Sequence, residues 1–464
     1  MGMREWLGMS PEPAPEQPVT EQATPEAPKR DPKIDLLELS LEQAMESIAD
    51  LQRENQGWQL VGNEGTDGTS RDTLLRNADL VRAFSGMNPL MFRAKVVRQA
   101  YVWGGGVDIT TRSADEEDYT GQDVAEVVSM YLDDTGNQAA VFGPQARAHL
   151  EGDNFDDGNV FVGHWVNPLT GGIKVRPVPF NEITDIMTAP GDHSTPWYYQ
   201  RVWVEQLPGE VRPRTKKAWY PDIDYDPATK PGMIDGAPVL WPGEYSAEYG
   251  GGAAIYHVKV NPTGRHRKWG VGDGFAAMPW AKAYKGFLED TAYLYRALAK
   301  IAHVISGTKD KAQLQRTAAN AASGGPGGTV YGNDVQVANP SFTGIDTDQG
   351  RPYAALVASA VGLPVTVLTA DPGQEGARAV AETLDKPTRL LFEARQEVWA
   401  EFIRASVGYK IKQAVKAPRG PLKGWLEQVR DRTEVRFRDA TDPTVQVDFP
   451  SIEDDNLTTM VEAI

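Results

Sequence analysis

Apolar positions Ile34, Leu37, Leu41, Ala44, Ile48 and Leu51 recur at spacings of three and four, the pattern of a helix with one apolar seam. Asp31-Pro32 supplies a cap followed by proline at the first helical position, and Gly57 ends the run. The seam suits packing on the chain's own domain, self-association or a partner helix. Ahead of it, residues 10–33 are rich in Pro, Glu, Thr and Ala and hold almost no large apolar side chain, so residues 1–33 are expected to be a disordered tail. Helical spacing returns from Ser70 to Gly86, from Asn88-Pro89 to Gly104–Gly106, near Gln122 to Asp133, and from Gly143 to Glu151. Strand patterns follow. Gly158–Val166 and Gly172–Val178 flank the turn Asn167-Pro-Leu-Thr-Gly-Gly172 as a hairpin. Trp197–Glu205, Lys217–Tyr220 and Ala253–Val260 are rich in aromatic and β-branched residues. Residues 70–265 therefore read as an α+β domain.

The next pattern is a long helix from Gly274 to about Ile305, capped by Asp273, which at about 1.5 Å per residue would span about 45 Å. Lys282, Lys285, Glu289, Arg296 and Lys300 fall on one broad, mostly basic face. That face is either solvated or turned towards a polyanion or a neighbouring subunit. Ser323-Gly-Gly-Pro-Gly-Gly328 then marks a flexible tip, with short strands expected at Thr329–Tyr331 and Val335–Val337. An apolar helix over Pro352–Val361 meets a hard stop at Gly362-Leu363-Pro364, followed by a mobile loop over 365–376 and a long amphipathic helix from Ala377 that contains Pro387. Val435–Phe437 and Val445–Phe449 add two strands, and Asp454–Ile464 a final short helix.

Composition narrows the function more than the fold. The 464 residues carry a formal charge of −17, and no cysteine is present, so neither disulfides nor thiolate chemistry are available. A protein that grips DNA by its phosphates shows a basic surface, so this chain is not expected to be a DNA-binding regulator. An acidic surface does suit a wall that DNA slides past. No apolar run of about 18 residues suggests a membrane span, and no secretory signal is readable.

Catalytic patterns are sparse. The glycines at 324–328 lead to no P-loop Lys. Gly270-Val-Gly272-Asp-Gly274 has Phe275 where a dinucleotide fingerprint needs glycine. Asp153-Asn-Phe-Asp-Asp-Gly158 superficially resembles a calcium loop, but Phe155 takes a ligand position and His164 stands where the closing Glu belongs, so it reads as a surface turn. The six histidines are scattered, and His257 reads as a hydrogen-bonded structural residue. Neither a cofactor nor a metal is expected. A pair of carboxylates in a cleft stays open as an enzymatic alternative, a carbohydrate-active hydrolase, although the aromatics fall on core periods.

Taken in order, several short segments resemble tailed-bacteriophage portal proteins of the siphovirus type. They are Asn88-Pro89 with Gly104–Asp108, Asp153–Phe161, Pro177-Val-Pro179-Phe180 before Ile183, Trp197-Tyr198-Tyr199 with Arg201, and Tyr256-His257-Val258 running to Gly270, Gly272 and the long helix. Ala360-Val-Gly362-Leu-Pro364 with Leu368, and Ala379 onward to Arg395-Gln396 and Trp399, complete the series. The resemblance spans roughly residues 70–460 and rests on order and spacing.

That resemblance implies an α+β portal fold: an α+β wing, a long helical stem, a small β clip, a tunnel loop with a kinked helix, and a short crown. After the tail (1–33) and amphipathic helix (34–56), it assigns 57–270 to the wing, 271–306 to the stem helix and 307–342 to the clip. It assigns 343–364 to a second stem helix, 365–378 to the tunnel loop, and 379–464 to the kinked helix, wing return strands and C-terminal helix. It implies a non-enzymatic ring, usually of twelve subunits, at one capsid vertex of a virion assembled in the bacterial cytoplasm. Implied partners are other copies of the chain, the terminase large subunit, a head-completion or adaptor protein, the major capsid protein, scaffold, and double-stranded DNA passing without sequence specificity; no membrane is implied. The channel-lining residues would be Val365, Val367, Leu368, Asp371 and Glu375, and the charged stem face Lys282, Lys285, Glu289, Arg296 and Lys300. Clip contacts would come from Lys309, Lys311, Tyr331, Asn333 and Asp334, and the kink from Pro387. Another phage head–tail connector or capsid protein is the alternative within the same class.

Overall fold

A computed structural model describes residues 71–111, 121–206, 213–262, 267–299, 303–305, 329–331, 350–369, 378–450 and 452. The described residues all belong to one compact unit, 65–464. In chain order its main elements are α1 (Arg71–Met87), α2 (Pro89–Trp103), β1 (Asp108–Thr111), α3 (Val124–Leu132), α4 (Pro144–Asp157), β2 (Asn159–Val166) and β3 (Ile173–Val178). Then come β4 (Ile183–Ala189), β5 (Asp192–Glu205), β6 (Arg214–Pro221), β7 (Ala253–Lys259), α5 (Gly274–Ala299), β8 (His303–Ile305) and β9 (Thr329–Tyr331). Last are α6 (Arg351–Val361), α7 (Val365–Thr369), α8 (Arg378–Lys416), β10 (Trp425–Val429), β11 (Arg432–Arg436) and β12 (Val445–Asp448). The mixed α+β class and most helix starts follow the hydrophobic pattern. Asn88, for example, accepts from the Leu90 and Met91 amides at the start of α2, with Pro89 in the first turn.

The expected hairpin is present: β2 pairs β3 antiparallel from Phe161 opposite Val178 to Val166 opposite Ile173, and β7 adds to the other edge of β2. A second sheet runs β4-β5-β6. Between the sheets lies an apolar cluster including Phe161, Phe180, Ile183, Ile186, Tyr199, Tyr220 and Ile255. A larger core joins α2, α3, α4, α6 and α8 to the first sheet, through Met91, Val102, Val127, Phe155, Val357, Phe392, Trp399 and Phe402 among others. The aromatics are thus mostly core, and His257 bonds Asn159 at 3.1 Å as a structural histidine.

The structure corrects four expectations. Asp153–Asp157 is not a surface turn but the last turn of α4, ended by Gly158 at φ 72. It can be buried because its acids are paired: Asp156 takes Lys95 Nζ at 2.6 Å and Ser85 Oγ at 2.9 Å, and Asp157 takes Arg82 at 2.6 Å. Burial still raises the Asp157 pKa to about 6, against the pull of Arg82. The long helix, described over Gly274–Ala299, does not reach Ile305, because β-branched Val304 and Ile305 join a strand that pairs parallel with Thr329–Tyr331. Residues 365–369 begin not as loop but as a helical turn. Finally, Trp425–Val429 forms a strand missed in the sequence, paired with β11. The expected N-terminal helix 34–56, the tip at 323–328, the strand at 335–337 and the helix at 454–464 lie outside the described residues.

The glycines of the 270–274 stretch serve backbone packing. A Cβ on Gly270 would sit 2.2 Å from the Gly158 carbonyl oxygen, and one on Gly272 would sit 2.4 Å from that of Asp156. Asn159 fastens the crossing: its Nδ2 donates to the Gly270 carbonyl at 2.9 Å and its Oδ1 accepts from the Gly270 amide at 2.8 Å. This crossing delivers the chain from β7 to the start of α5.

Candidate functional site

The residues that carry no catalytic chemistry converge on one junction. α6 runs back alongside α5: Tyr353 in its first turn packs on Phe287, with ring centroids 5.9 Å apart, while its last carbonyl lies beside Asp273 at the head of α5. Gly362 adopts φ 69, and its amide and that of Leu363 close on Ala358, capping the helix C-terminus. Leu363 and Leu368 then plug into the core, and Arg93 Nε donates to the Val367 carbonyl at 2.7 Å. The segment after the stop is therefore fastened to α2 as far as Thr369.

The junction is held by charges. Arg98, on the core side of α2 and 2% exposed, donates from Nη1 to the Val361 carbonyl at 2.6 Å and from Nη2 to Asp273 Oδ2 at 2.7 Å. Arg395 of α8 donates to the same Oδ2 at 2.6 Å, and Asn261 Nδ2 donates to Oδ1 at 2.8 Å. Asp273 and Arg98 together thus tie the head of α5, the tail of α6, α2 and α8. Burial pushes the Arg98 pKa down and Asp273 opposes it; burial pushes the Glu151 pKa up, opposed by Arg395 and Arg98. Glu151 Oε2 accepts from Trp399 Nε1 at 2.7 Å. Arg98 also lies 5.2 Å from the Phe392 ring centroid. Beside this joint opens a groove of about 610 Å³, lined by Arg98, Asp273, Leu391, Ala394 and Arg395 among others.

The sequence-predicted residues divide by place. Val365 and Val367 are half-buried in α7, whereas Leu368 is 1% exposed and is an anchor, so its side chain does not face a channel from this position. Asp371 and Glu375 lie outside the described residues. Lys282, Lys285 and Glu289 are exposed on the outer side of α5, with Lys285 and Glu289 paired at 3.6 Å. The Arg296 side chain, Lys300, Lys309, Lys311, Asn333 and Asp334 lie outside the described residues, and Tyr331 ends β9. Pro387 is inside α8 and exposed. Sequence reasoning read Asp273 only as a cap and missed Arg98. The readable signal was a charged residue on the same stripe as Met91, Ala94 and Val102.

A second cleft, about 850 Å³, lies among β5, β7, α8 and the β10–β11 turn. It presents Asp192, Asp222, Asp224, Glu401, Asp431 and Glu434 with Trp197, Tyr225 and Tyr256. Burial raises the Asp222 pKa to about 7, but both its oxygens are occupied: Oδ2 accepts from Tyr199 OH at 2.8 Å and Oδ1 from the Asp224 amide at 3.0 Å. The raised value means the fold keeps a proton that the unfolded chain releases near pH 4. Stability from this group is full below about pH 4 and is lost as pH rises through about 7. Asp222→Asn should therefore narrow the fall in melting temperature between pH 5 and pH 8; an unchanged fall would show that Asp222 is not the titrating group.

Among the described residues, no helix is long and apolar enough to cross a membrane, and no group of three or more His, Cys, Asp or Glu could hold a metal. No family model and no curated protein matches the sequence. Solved structures that are similar include a chain of the neck of an empty GTA particle computed with C6 symmetry (TM-score 0.40, 16% identity, covering 74% of this chain and 84% of that one). A chain of the virion of a native gene transfer agent (GTA) particle has TM-score 0.39 and 13% identity, covering 86% and 89%. One from the neck of a native GTA particle computed with C12 symmetry has TM-score 0.38 and 13% identity, covering 72% and 82%.

Proposed function

We propose that this chain is a portal-type subunit of a phage-like particle, assembling as a ring whose axis is a channel for double-stranded DNA. The carrying observation is α5. Its 26 residues reach about 39 Å, yet α6 begins only at the level of Phe287. Beyond that level Leu288, Tyr293 and Tyr295 are 41%, 74% and 46% exposed. A rod that projects past its partner with aromatic side chains in solvent suits a stem whose flanks are covered by neighbouring copies. The order of parts agrees: stem, an insert carrying the β8–β9 pair, a second stem helix ended by Gly362, a segment fastened to α2, and the long α8 containing Pro387.

On this reading the insert between α5 and α6 is the clip, where the terminase large subunit docks during packaging and a head-completion protein afterwards. Asp371, Glu375 and the half-buried Val365 and Val367 line the channel, while Leu368 holds the segment in place. Deleting Ser323–Gly328 should abolish binding of the terminase large subunit in a pull-down and leave ring assembly intact. Retained terminase binding, or loss of the ring, would refute this division of labour. A second reading has one observation in its favour, the carboxylate- and aromatic-lined cleft, which would suit a carbohydrate-active hydrolase. Release of reducing ends from polysaccharide by the parent, lost in Asp222→Asn, would support it.

A further inference from the structure

Arg147 of α4 is half-buried without an anion. Arg82, Arg98, Arg201 and Arg395 each hold a carboxylate within 2.7 Å. Arg147 makes no ion pair and no hydrogen bond with any described residue, and its Nε and Nη1 are enclosed. Nη2 is therefore the nitrogen left to meet an outside carboxylate. Burial alone pushes its pKa down, with no carboxylate opposing the shift. Its guanidinium lies 5.3 Å from the Trp103 ring centroid, which offsets only part of the cost of taking a charge out of water. The same side chain lines a pocket of about 450 Å³ with apolar walls that include Ile109, Val128, Phe142 and Ile403. Asp133 is the pocket's one other charged residue, and it is exposed, where water and salt screen it.

The chain leaves the described fold beside this pocket. β12 runs antiparallel to β1, from Val445 opposite Thr111 to Asp448 opposite Asp108, and so heads towards Trp103. Phe449 packs on that ring with centroids 5.3 Å apart, on the same tryptophan that carries Arg147. Pro450 lies against Gly105, and Ile452 packs on the main core. The next residues are Glu453, Asp454 and Asp455, then Asn456 and Leu457. Residues 453–464 hold four acids and no base. Glu453 is four residues beyond Phe449, a distance that extended chain covers in at most about 14 Å. The acidic run thus begins within reach of the unpaired guanidinium.

We propose that residues 453–457 fold back over this pocket, the acidic run pairing with Arg147 and Leu457 seating against Ile109 and Phe142. The occupant is this segment because its sign opposes that of Arg147 and because Ile452 tethers it at the pocket's edge, where its effective concentration is high. It supplies the carboxylate that the buried cation lacks and an apolar side chain for the walls. The contact straps β12 and its partner β1 to α4, and it does not depend on the ring reading above.

The chain has no cysteine, so Ser129→Cys in the pocket lining with Asn456→Cys in the segment makes the one disulfide an isolated chain can form. In the full-length chain under mild oxidant, this bond should form about tenfold faster than in the same pair carrying Arg147→Gln, the size of one charge-assisted contact. Circular dichroism checks that Arg147→Gln folds. Glu453→Gln, Asp454→Asn and Asp455→Asn together neutralise the segment without touching the pocket and should slow the bond as much. Arg147→Glu with Glu453→Lys, Asp454→Lys and Asp455→Lys should restore the parent rate. An equal rate with and without the segment's acids would show tethering alone and overturn the pairing. A parent pair that never crosslinks would overturn the docking itself.

Discussion

Asp273→Ala is expected to destabilise the folded chain by about 3–5 kcal/mol, the cost of removing one partner from a buried ion pair. Two guanidinium groups, Arg98 at 2% and Arg395 at 9% exposure, share one oxygen of this carboxylate at 2.7 and 2.6 Å. Without it they repel each other, and the nearby anion is Glu151, whose own charge is disfavoured by burial. Asp273→Asn keeps an acceptor and loses the charge, so it should fall between. Replacing the whole set, Arg98→Met, Asp273→Leu and Arg395→Met, removes the charges together and should recover much of the loss. Chemical denaturation at fixed protein concentration measures all three. The cluster matters because it gathers α2, α5, α6 and α8, the parts that would have to keep register around a channel. An Asp273→Ala chain within about 1 kcal/mol of the parent would mean that the junction is held by packing alone.

The other large effect is Gly158→Ala, expected to cost more than about 4 kcal/mol, a size reached only by a few specific mechanisms. The residue sits at φ 72, which alone costs a non-glycine residue about 1–2 kcal/mol. A Cβ there would also lie 2.2 Å from the Val271 carbonyl carbon and 2.4 Å from the Gly272 nitrogen. Those neighbours are backbone, so no side chain can swing aside. Gly191 and Gly236 separate the two costs: both have positive φ, at 79 and 72, with nothing within 4 Å of a Cβ. Alanine at either should cost only the conformational part. Similar losses for all three variants would show that the crossing of α4 over the entrance to α5 tolerates displacement.

Local chemistry was legible in the sequence wherever it decides structure over a few residues. Asn88-Pro89 marked a helix start and Gly362 a helix stop, and the turn Asn167–Gly172 between two strand patterns marked the β2–β3 hairpin. What failed needed long-range partners. Asp153–Gly158 reads as a polar turn until Arg82, Ser85 and Lys95, some sixty to seventy-five positions earlier, are known to meet its acids. Gly270 and Gly272 looked like a damaged nucleotide fingerprint because a backbone crossing and a phosphate cradle demand the same lack of side chain. Trp425–Val429 shows exposure on almost every residue, so it carries no apolar alternation to find. Of the candidate site, the hinge-like segments were visible but the joint was not. Arg98, Asp273 and Arg395 are separated by 175 and 122 positions, and only the packing of α2 and α8 against the head of α5 brings them together.

A ring around a DNA channel should be visible by electron microscopy of the purified full-length chain at a concentration where it assembles. The expected images are closed rings with an axial hole wide enough for a DNA duplex, α5 and α6 running along the hole, and the link between Thr369 and Arg378 at its narrowest point. A chain that stays monomeric across salt and concentration, or rings that carry the 369–378 link on their outer rim, would contradict it.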